Sequence, residues 1–163
     1  MTETRTPPSV AAREYVSTRI GEYSTDEDKG IYSWIHQGER VAWQVMLRAF
    51  DPGGMVVIAS TCPFKIDPPE RALIGRFVSR LNYQSTEAVF ALQPELGVLT
   101  TKTSIFLGSQ FLATQIKLED AVALVAYTVD VNLESAEEFF GAAARLSQGV
   151  STVEAELRAL EGI

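Results

Sequence analysis

The chain has 163 residues, 46% hydrophobic and 21% charged, which is ordinary for a globular protein with one core and argues against disorder. Its formal net charge of −7 disfavours binding to nucleic acid or to an anionic membrane surface. A single cysteine, Cys62, cannot form an internal disulfide, and no apolar stretch reaches the ~20 residues that span a bilayer. We therefore expect a soluble cytoplasmic protein.

The N-terminal part of the chain predicts a tail, a helix and a loop. Residues 1–8 are polar and end in two prolines, so we expect a flexible tail. Ser9 is a suitable N-cap for a modest helix that runs to about residue 20. Residues 22–30 are acidic and polar without an apolar period, which predicts a loop.

Three strands are predicted next. At residues 31–37 the period of the apolar residues changes from helical to two, and this alternation is clearest at 40–50, where one face is apolar and the other mixed. Residues 51–54 supply turn chemistry, with two glycines that are free to take positive φ. Residues 55–62, rich in β-branched and apolar side chains, complete a three-stranded meander.

The middle of the chain predicts a helix and two more strands. Asp67 leads a capping-box arrangement, with proline at the first helical position and glutamate at the third. The helix shows one apolar face, and Asn82 is a suitable end. Alternating apolar residues then predict strands near 88–92 and 99–107, whereas 108–116 fits either a strand extension or a loop.

A long helix and a short one complete the chain. The long helix begins near Lys117, with acidic residues well placed against the positive end of its dipole. Its apolar residues recur at spacings of three and four, and residues 132–135 are a candidate break. Ser151 and Glu154 form a second capping box, which predicts a last short helix.

Few residues in the sequence carry catalytic chemistry. His36 is the only histidine and lies in a predicted strand, where a partly packed or surface side chain is the commoner outcome. Cys62 ends a strand and fits a buried structural cysteine better than a nucleophile. There are too few His and Cys residues for a zinc site, and no phosphate-binding glycine motif occurs. We predict no catalytic residue, no cofactor and no metal.

The predicted elements give a single α+β domain. Its mainly antiparallel sheet of about five strands packs against helices, in the order α-β-β-β-α-β-β-α. We expect the flexible tail at 1–8, the domain at 9–146 and a C-terminal helical extension at 147–163.

This order, in a small acidic protein, resembles the type III secretion chaperone-like fold, and more specifically the YbjN family of bacterial proteins. The resemblance rests on the run Arg-Phe-Val-Ser-Arg-Leu-Asn-Tyr at 76–83 and on the strand at 88–92. It continues through Gly-Val-Leu-Thr-Thr-Lys-Thr-Ser at 97–104 and the helix that opens with Leu-Glu-Asp at 118–120. In all it covers about residues 30–146.

The resemblance implies a protein that binds and does not catalyse. Secretion chaperones of this fold are homodimers that hold effector segments in extended form along their sheet and helix surfaces. The YbjN relatives are described loosely as regulators of sensory transduction. The family has no established catalytic residues, so none is carried over to this chain.

Two hypotheses from different classes follow. In the first, the protein is a dimeric chaperone-like or regulatory adaptor that binds an unidentified protein through exposed strand edges or apolar surface. Trp34, Trp43, Phe64 and Phe106 are its candidate partner contacts, although each fits a core position as well.

The second hypothesis is a small-molecule sensor or an enzyme without recognisable motifs. It predicts an enclosed pocket between the sheet and the long helix, with polar groups that converge on it. Arg48, Lys102 and Tyr127 are the candidates for these groups.

Overall fold

The computed structural model describes residues 6–108 and 116–161, in which four helices pack against a six-stranded antiparallel sheet. The helices are α1 (Pro8–Arg19), α2 (Arg71–Gln84), α3 (Leu118–Ser147) and α4 (Val153–Ala159). The strands are β1 (Ser24–Asp26), β2 (Ile31–Gln37), β3 (Ala42–Phe50), β4 (Met55–Lys65), β5 (Val89–Gln93) and β6 (Val98–Phe106). They lie side by side in the order β1-β2-β3-β4-β6-β5, which confirms the predicted α+β class and element order.

Strand β1 is the difference from the prediction, because it lies within residues 22–30, where a loop was expected. It pairs with the start of β2, from Ser24 opposite Ser33 to Asp26 opposite Ile31. Hydroxyls support this pairing: the Ser24 and Ser33 Oγ atoms are 2.8 Å apart, and Thr25 Oγ1 donates to the Ile31 carbonyl. A strand held by backbone and hydroxyl groups has no apolar period to reveal it, and the sheet therefore has six strands, not about five.

One face of the sheet packs against the helices. Thr103 of β6 identifies this face, because its Oγ1 donates to the carbonyl of Thr128 in α3 at 3.1 Å. Cross-strand neighbours share a face, so the registers place the corresponding side chains of β3 on it: Trp43, Val45, Leu47 and Ala49. All four are buried.

Helix α3 is continuous through residues 132–135, so the predicted break is wrong. Asn132 is fully buried, and its side chain turns to the sheet instead of competing for helix backbone groups. Its Oδ1 accepts from Ser60 Oγ at 2.6 Å, and its Nδ2 donates to the carbonyls of Ile58 and Thr101. Every polar group of the amide is bonded, which makes asparagine compatible with the helix interior.

Two helix starts differ from the predicted caps. Pro7 occupies the N-cap position of α1, while Ser9 donates from its backbone N–H and its Oγ to the Asp51 carboxylate at 2.7 and 2.6 Å. Asp67 makes no side-chain cap bond. A turn of 3₁₀ helix follows it, and α2 begins at Arg71.

Two more predicted helix signals have other roles. The cap of α4 is Thr152, whose Oγ1 accepts from the N–H of Ala155; Ser151 is the residue before it. Asn82 does not end α2. Its side-chain amide bonds both the N–H and the carbonyl of Phe90 at 2.8 Å, which fastens the helix to the edge strand β5.

The two ends of the chain are more closely packed than predicted. Of the predicted tail 1–8, residues 1–5 lie outside the described residues, while Thr6 is buried and Pro8 belongs to α1. Helix α4 and its C-cap residue, in the predicted extension 147–163, contribute three residues to the main core: Val153, Leu157 and Leu160.

The sequence of residues 108–116 fits either a strand extension or a loop. Most of this segment, residues 109–115, also lies outside the described residues. Of the helices within the described ranges, none has the length and apolar character needed to cross a membrane.

Candidate partner-binding surface

The four aromatic residues predicted as partner contacts lie at different depths. Trp34 and Trp43 are 6% and 2% exposed, so their rings belong to the core. Phe64 is partly buried against the core, and Phe106 is 50% exposed. Trp43 and Phe64 line one cavity, whereas Phe106 lies on the opposite face of the sheet and does not join them.

Trp43 is held by polar and aromatic contacts. Its Nε1 donates to Ser60 Oγ at 3.0 Å, and its ring meets Phe140 edge-on at 5.7 Å between centroids. The centroid of the His36 ring lies 4.8 Å from that of the Trp43 ring. Burial lowers the pKa of His36, with Glu137 acting in the opposite direction. The single histidine is thus a packed neighbour of the tryptophan.

Cys62 is buried, and this burial raises the pKa of its thiol to about 12. A thiol in this environment holds almost no thiolate at neutral pH, and the thiolate is the nucleophile. Within residues 6–108 and 116–161, no three His, Cys, Asp or Glu side chains are placed together so that they could hold a metal ion.

The residues predicted to converge on a pocket do not converge. Arg48 and Lys102 point to the side of the sheet away from α3, because they alternate with residues that face the helices. Tyr127 lies on the exposed side of α3, where its hydroxyl donates to Glu87 at 3.1 Å. A pocket built from these three side chains is therefore wrong.

No described helix packs on this second side of the sheet, which we call the open face. The strand registers align its side chains in rows across the strands. One row contains Ser24, Ser33, Met46, Ala59, Lys102 and Val89. The next row contains Asp26, Ile31, Arg48, Val57 and Ser104. A third row contains Phe50, Met55 and Phe106.

The open face is apolar and carries little negative charge. Five of its large apolar side chains are exposed: Ile35, Met46, Met55, Val89 and Phe106. In the first two rows the cations are Arg48 and Lys102, while the one carboxylate, Asp26, already binds Lys29 at 2.7 Å. Arg48 stacks over the Phe50 ring at 4.4 Å and forms no ion pair with a described residue. These two rows thus carry excess positive charge on an acidic chain.

The outer edge of β2 is partly free. β1 covers it from Ile31 to Ser33, and no described strand pairs with its remainder. The carbonyls of Ile31 and Ser33 point to β1, where they accept from hydroxyls of that strand. Backbone groups alternate along an antiparallel strand, so the N–H and C=O groups of Ile35 and Gln37 point to the same side, where no strand from residues 6–108 or 116–161 lies.

A groove of about 410 Å³ runs beside this free edge. Tyr23, Trp34, Ile35 and Gln44 are among its lining residues. Ile35 is 69% exposed and projects onto the open face next to Gln44. The free edge, the groove and the open face are therefore continuous with one another.

The sequence pattern missed this surface for a specific reason. The mixed outer side of β3, with Ala42, Met46 and Phe50, was a signal that both faces of the strand carry apolar groups. Such a pattern fits a strand buried on both sides as well as one with an apolar exposed face. The free edge depends on the length of β1, for which the sequence gives no signal.

No protein-family model and no curated protein matches this sequence. Among solved structures, the chain is similar to YbjN from E. coli, which is described as a candidate transcription regulator, with a TM-score of 0.52. The identity is 11%, over 82% of this chain and 94% of that one.

A chain of the ExsC-ExsE complex matches with a TM-score of 0.42 and 18% identity, over 79% of this chain and 90% of that one. Identities this low establish a likeness of fold and not of function. The chain therefore has the YbjN-like fold that its sequence predicted.

Proposed function

We propose that this protein is a non-catalytic protein-binding module of the bacterial cytoplasm, a chaperone-like or regulatory adaptor. It takes up an extended segment of a partner protein along the free edge of β2. The observation that carries this proposal is the pair of outward-facing backbone groups at Ile35 and Gln37, beside a groove that continues onto the open face. Extended peptides add to exposed sheet edges of this kind through main-chain hydrogen bonds.

The side chains around the edge indicate which partner segment fits. Ile35 and Met46 offer apolar contacts for every second residue of an added strand. Arg48 and Lys102 form no ion pair with a described residue, and the one carboxylate in their rows, Asp26, binds Lys29, so they favour carboxylates where the segment extends onto the open face. An extended segment with alternating apolar and acidic residues is the best complement. The open face of a second copy of this chain is a poorer complement, because its cations would lie close to the same cations of the first copy.

A cavity on the helix side of the sheet, lined by Trp43 and Phe64, favours the alternative function of small-molecule sensing. The two functions use opposite sides of the sheet, so they are compatible.

His36 is packed on Trp43 and Cys62 is buried, which supports the non-catalytic part of the proposal.

Hydrogen exchange and peptide binding test the edge directly. In the free protein the amide protons of Ile35 and Gln37 should exchange fast, while those of Trp34 and His36, which face β3, should exchange slowly. Peptides selected from a random display library should contain alternating apolar and acidic residues. On binding, they should slow exchange at Ile35 and Gln37.

Two variants provide the contrast. Ile35→Pro removes an N–H that faces the free edge, a position where proline is tolerated, and should weaken peptide binding by about tenfold or more. Val89→Lys, on the opposite edge of the same face and 60% exposed, should leave binding unchanged. Equal binding to the Ile35→Pro variant, or peptide protection confined to other strands, would contradict the proposal.

The homodimer implied by the fold resemblance is a separate proposal. A dimer should sediment with twice the chain mass of 17.9 kDa. If two copies joined through their β2 edges, Ile35→Pro would return the mass to that of the monomer. A dimer that survives this substitution would leave the edge free for the partner segment.

A further inference from the structure

A cavity of about 290 Å³ lies on the helix side, between the ends of β3 and β4 and the C-terminal half of α3. Its walls are mainly apolar. Trp43 and Phe140 contribute ring surfaces from the core, and the partly buried Phe64 closes one side. The shape and lining are typical of a small-molecule site, at the lower end of the usual volume range.

Two guanidinium groups converge on one wall of this cavity. Arg145 binds Glu156 through Nε and Nη2, at 2.9 and 2.6 Å, and its Nη1 remains outside this ion pair. That Nη1 lies 3.3 Å from the position that a Cβ on Gly141 would take, and Arg40 Nη1 lies 3.8 Å from the same point. The Nη1 atoms of Arg145 and Arg40, which take no part in an ion pair with a described residue, therefore both lie beside Gly141.

The packing around residue 141 explains why it is a glycine. A glycine inside a helix is less favourable than alanine, and α3 carries Gly141 near the middle of its C-terminal half. A side chain at this position would press against Arg145 Nη1 and occupy the space between the guanidiniums. The glycine keeps that space open.

The carboxylates of Glu137 and Glu156 balance the charge of the two arginines, but the guanidinium donors of Arg40 are not used in an ion pair with a described residue. Glu156 neutralises Arg145 from behind. Glu137 also lines the cavity, but its Oε2 accepts from the backbone N–H of Glu39 at 3.2 Å, so it is bound to the β2–β3 turn. Guanidinium groups match the geometry of carboxylates.

We propose that this cavity binds a small apolar carboxylic acid, with its carboxylate between Arg40 and Arg145 and its body against Trp43, Phe64 and Phe140. The cavity is large enough for a ligand of about ten non-hydrogen atoms. This site is independent of the β2 edge, and its ligand is a small molecule instead of a polypeptide.

The probe is octanoate, a carboxylate with ten non-hydrogen atoms. Octanol and octylamine are its neutral and cationic analogues. In a Trp34→Phe background, where Trp43 is the remaining tryptophan, octanoate should change the fluorescence saturably with one site per chain. Calorimetry should show octanol and octylamine to bind at least about tenfold more weakly, as the loss of a charge-assisted hydrogen bond predicts.

Arg40→Gln should weaken octanoate about tenfold and leave octanol unchanged, and because Arg40 is exposed the variant should fold normally. Ala144→Phe, which fills the cavity, should weaken both. Arg158→Gln, an exposed arginine on α4, is the matched control and should alter neither. Octanol or octylamine binding as tightly as octanoate, an unchanged affinity in Arg40→Gln, or no saturable binding of octanoate would overturn the proposal.

Discussion

A short chain of buried polar side chains fixes the sheet to the long helix. Trp43 Nε1 donates to Ser60 Oγ, which in turn donates to Asn132 Oδ1. The three residues belong to β3, β4 and α3, so these bonds specify how the helix lies on the sheet. Buried networks in which every group is bonded are rigid, whereas a partly bonded one is costly.

Substitution of Asn132 tests this network. Asn132→Ala removes the acceptor of the Ser60 hydroxyl and a donor to two backbone carbonyls and creates a cavity, so we expect the free energy of unfolding to fall by about 2–4 kcal/mol. Urea denaturation measures this change. Glu134→Ala, on the exposed side of the same helix, should change it by less than about 0.5 kcal/mol. Similar values for the two variants would refute the role of the network.

The reactivity of Cys62 follows from its burial. With the pKa of its thiol raised to about 12, native protein should react very slowly with a thiol reagent at about pH 8, because the thiolate is the reacting form. The rate should rise to that of an ordinary thiol in denaturing urea. Rapid stoichiometric labelling of the folded protein would show that this part of β4 opens easily.

At the scale of elements, one ion pair holds α4 to α3. Arg145 and Glu156 are joined by two hydrogen bonds, and the Glu156 side chain is 4% exposed. The hydrogen bond from Arg145 is the main cause that lowers the pKa of Glu156, and burial acts against it. Because the folded-state pKa is depressed, the stabilisation is present above the unfolded value of about 4.3. It is lost as the pH falls through the folded value.

This pair predicts a pH-dependent stability difference. Glu156→Gln should lower the free energy of unfolding by about 1–3 kcal/mol at neutral pH, and the difference should shrink as the pH falls below about 4. Chemical denaturation across this pH range measures it. Glu154→Gln removes the exposed partner of Arg80 and should have a smaller effect. A difference that stays constant with pH would show that Glu156 acts through packing alone.

At the scale of the whole molecule, the C-terminal segment belongs to the same core as the sheet. Helix α4 packs on α2, and its ion pair with α3 is largely buried. The sequence suggested an extension at 147–163 because its capping signals set it apart from the long helix. Its apolar residues complete the core instead.

Removal of residues 149–163 should therefore destabilise the entire domain. It takes away the buried Leu157 and Leu160, and each fully buried leucine contributes about 1.5–3 kcal/mol. We expect a large drop in Tm by circular dichroism, greater than that of Leu157→Ala, which should cost about 2–5 kcal/mol. A truncated chain with an unchanged Tm would show that α4 is an independent appendage.

The sequence by itself determined the order of the elements and the apolar faces of most of them. Local periodicity carries this information, because apolar residues must recur about every two residues in a strand with one buried face and about every 3.6 residues in a helix with one. The sequence also showed that few side chains suited to catalysis are present, with one histidine and one cysteine. The continuous α3 was missed because the partners of Asn132 lie more than 30 residues away in sequence.

Only the tertiary structure decided which aromatic rings are buried and where the surface is free. Trp34 and Phe106 look alike in the pattern, but the helices cover the face that holds Trp34 and leave the face that holds Phe106 open. The free edge of β2 exists because β1 is three residues long. The cavity at Gly141 exists because side chains from β3, β4 and α3 meet there. These features arise from contacts between distant segments, which no local period encodes.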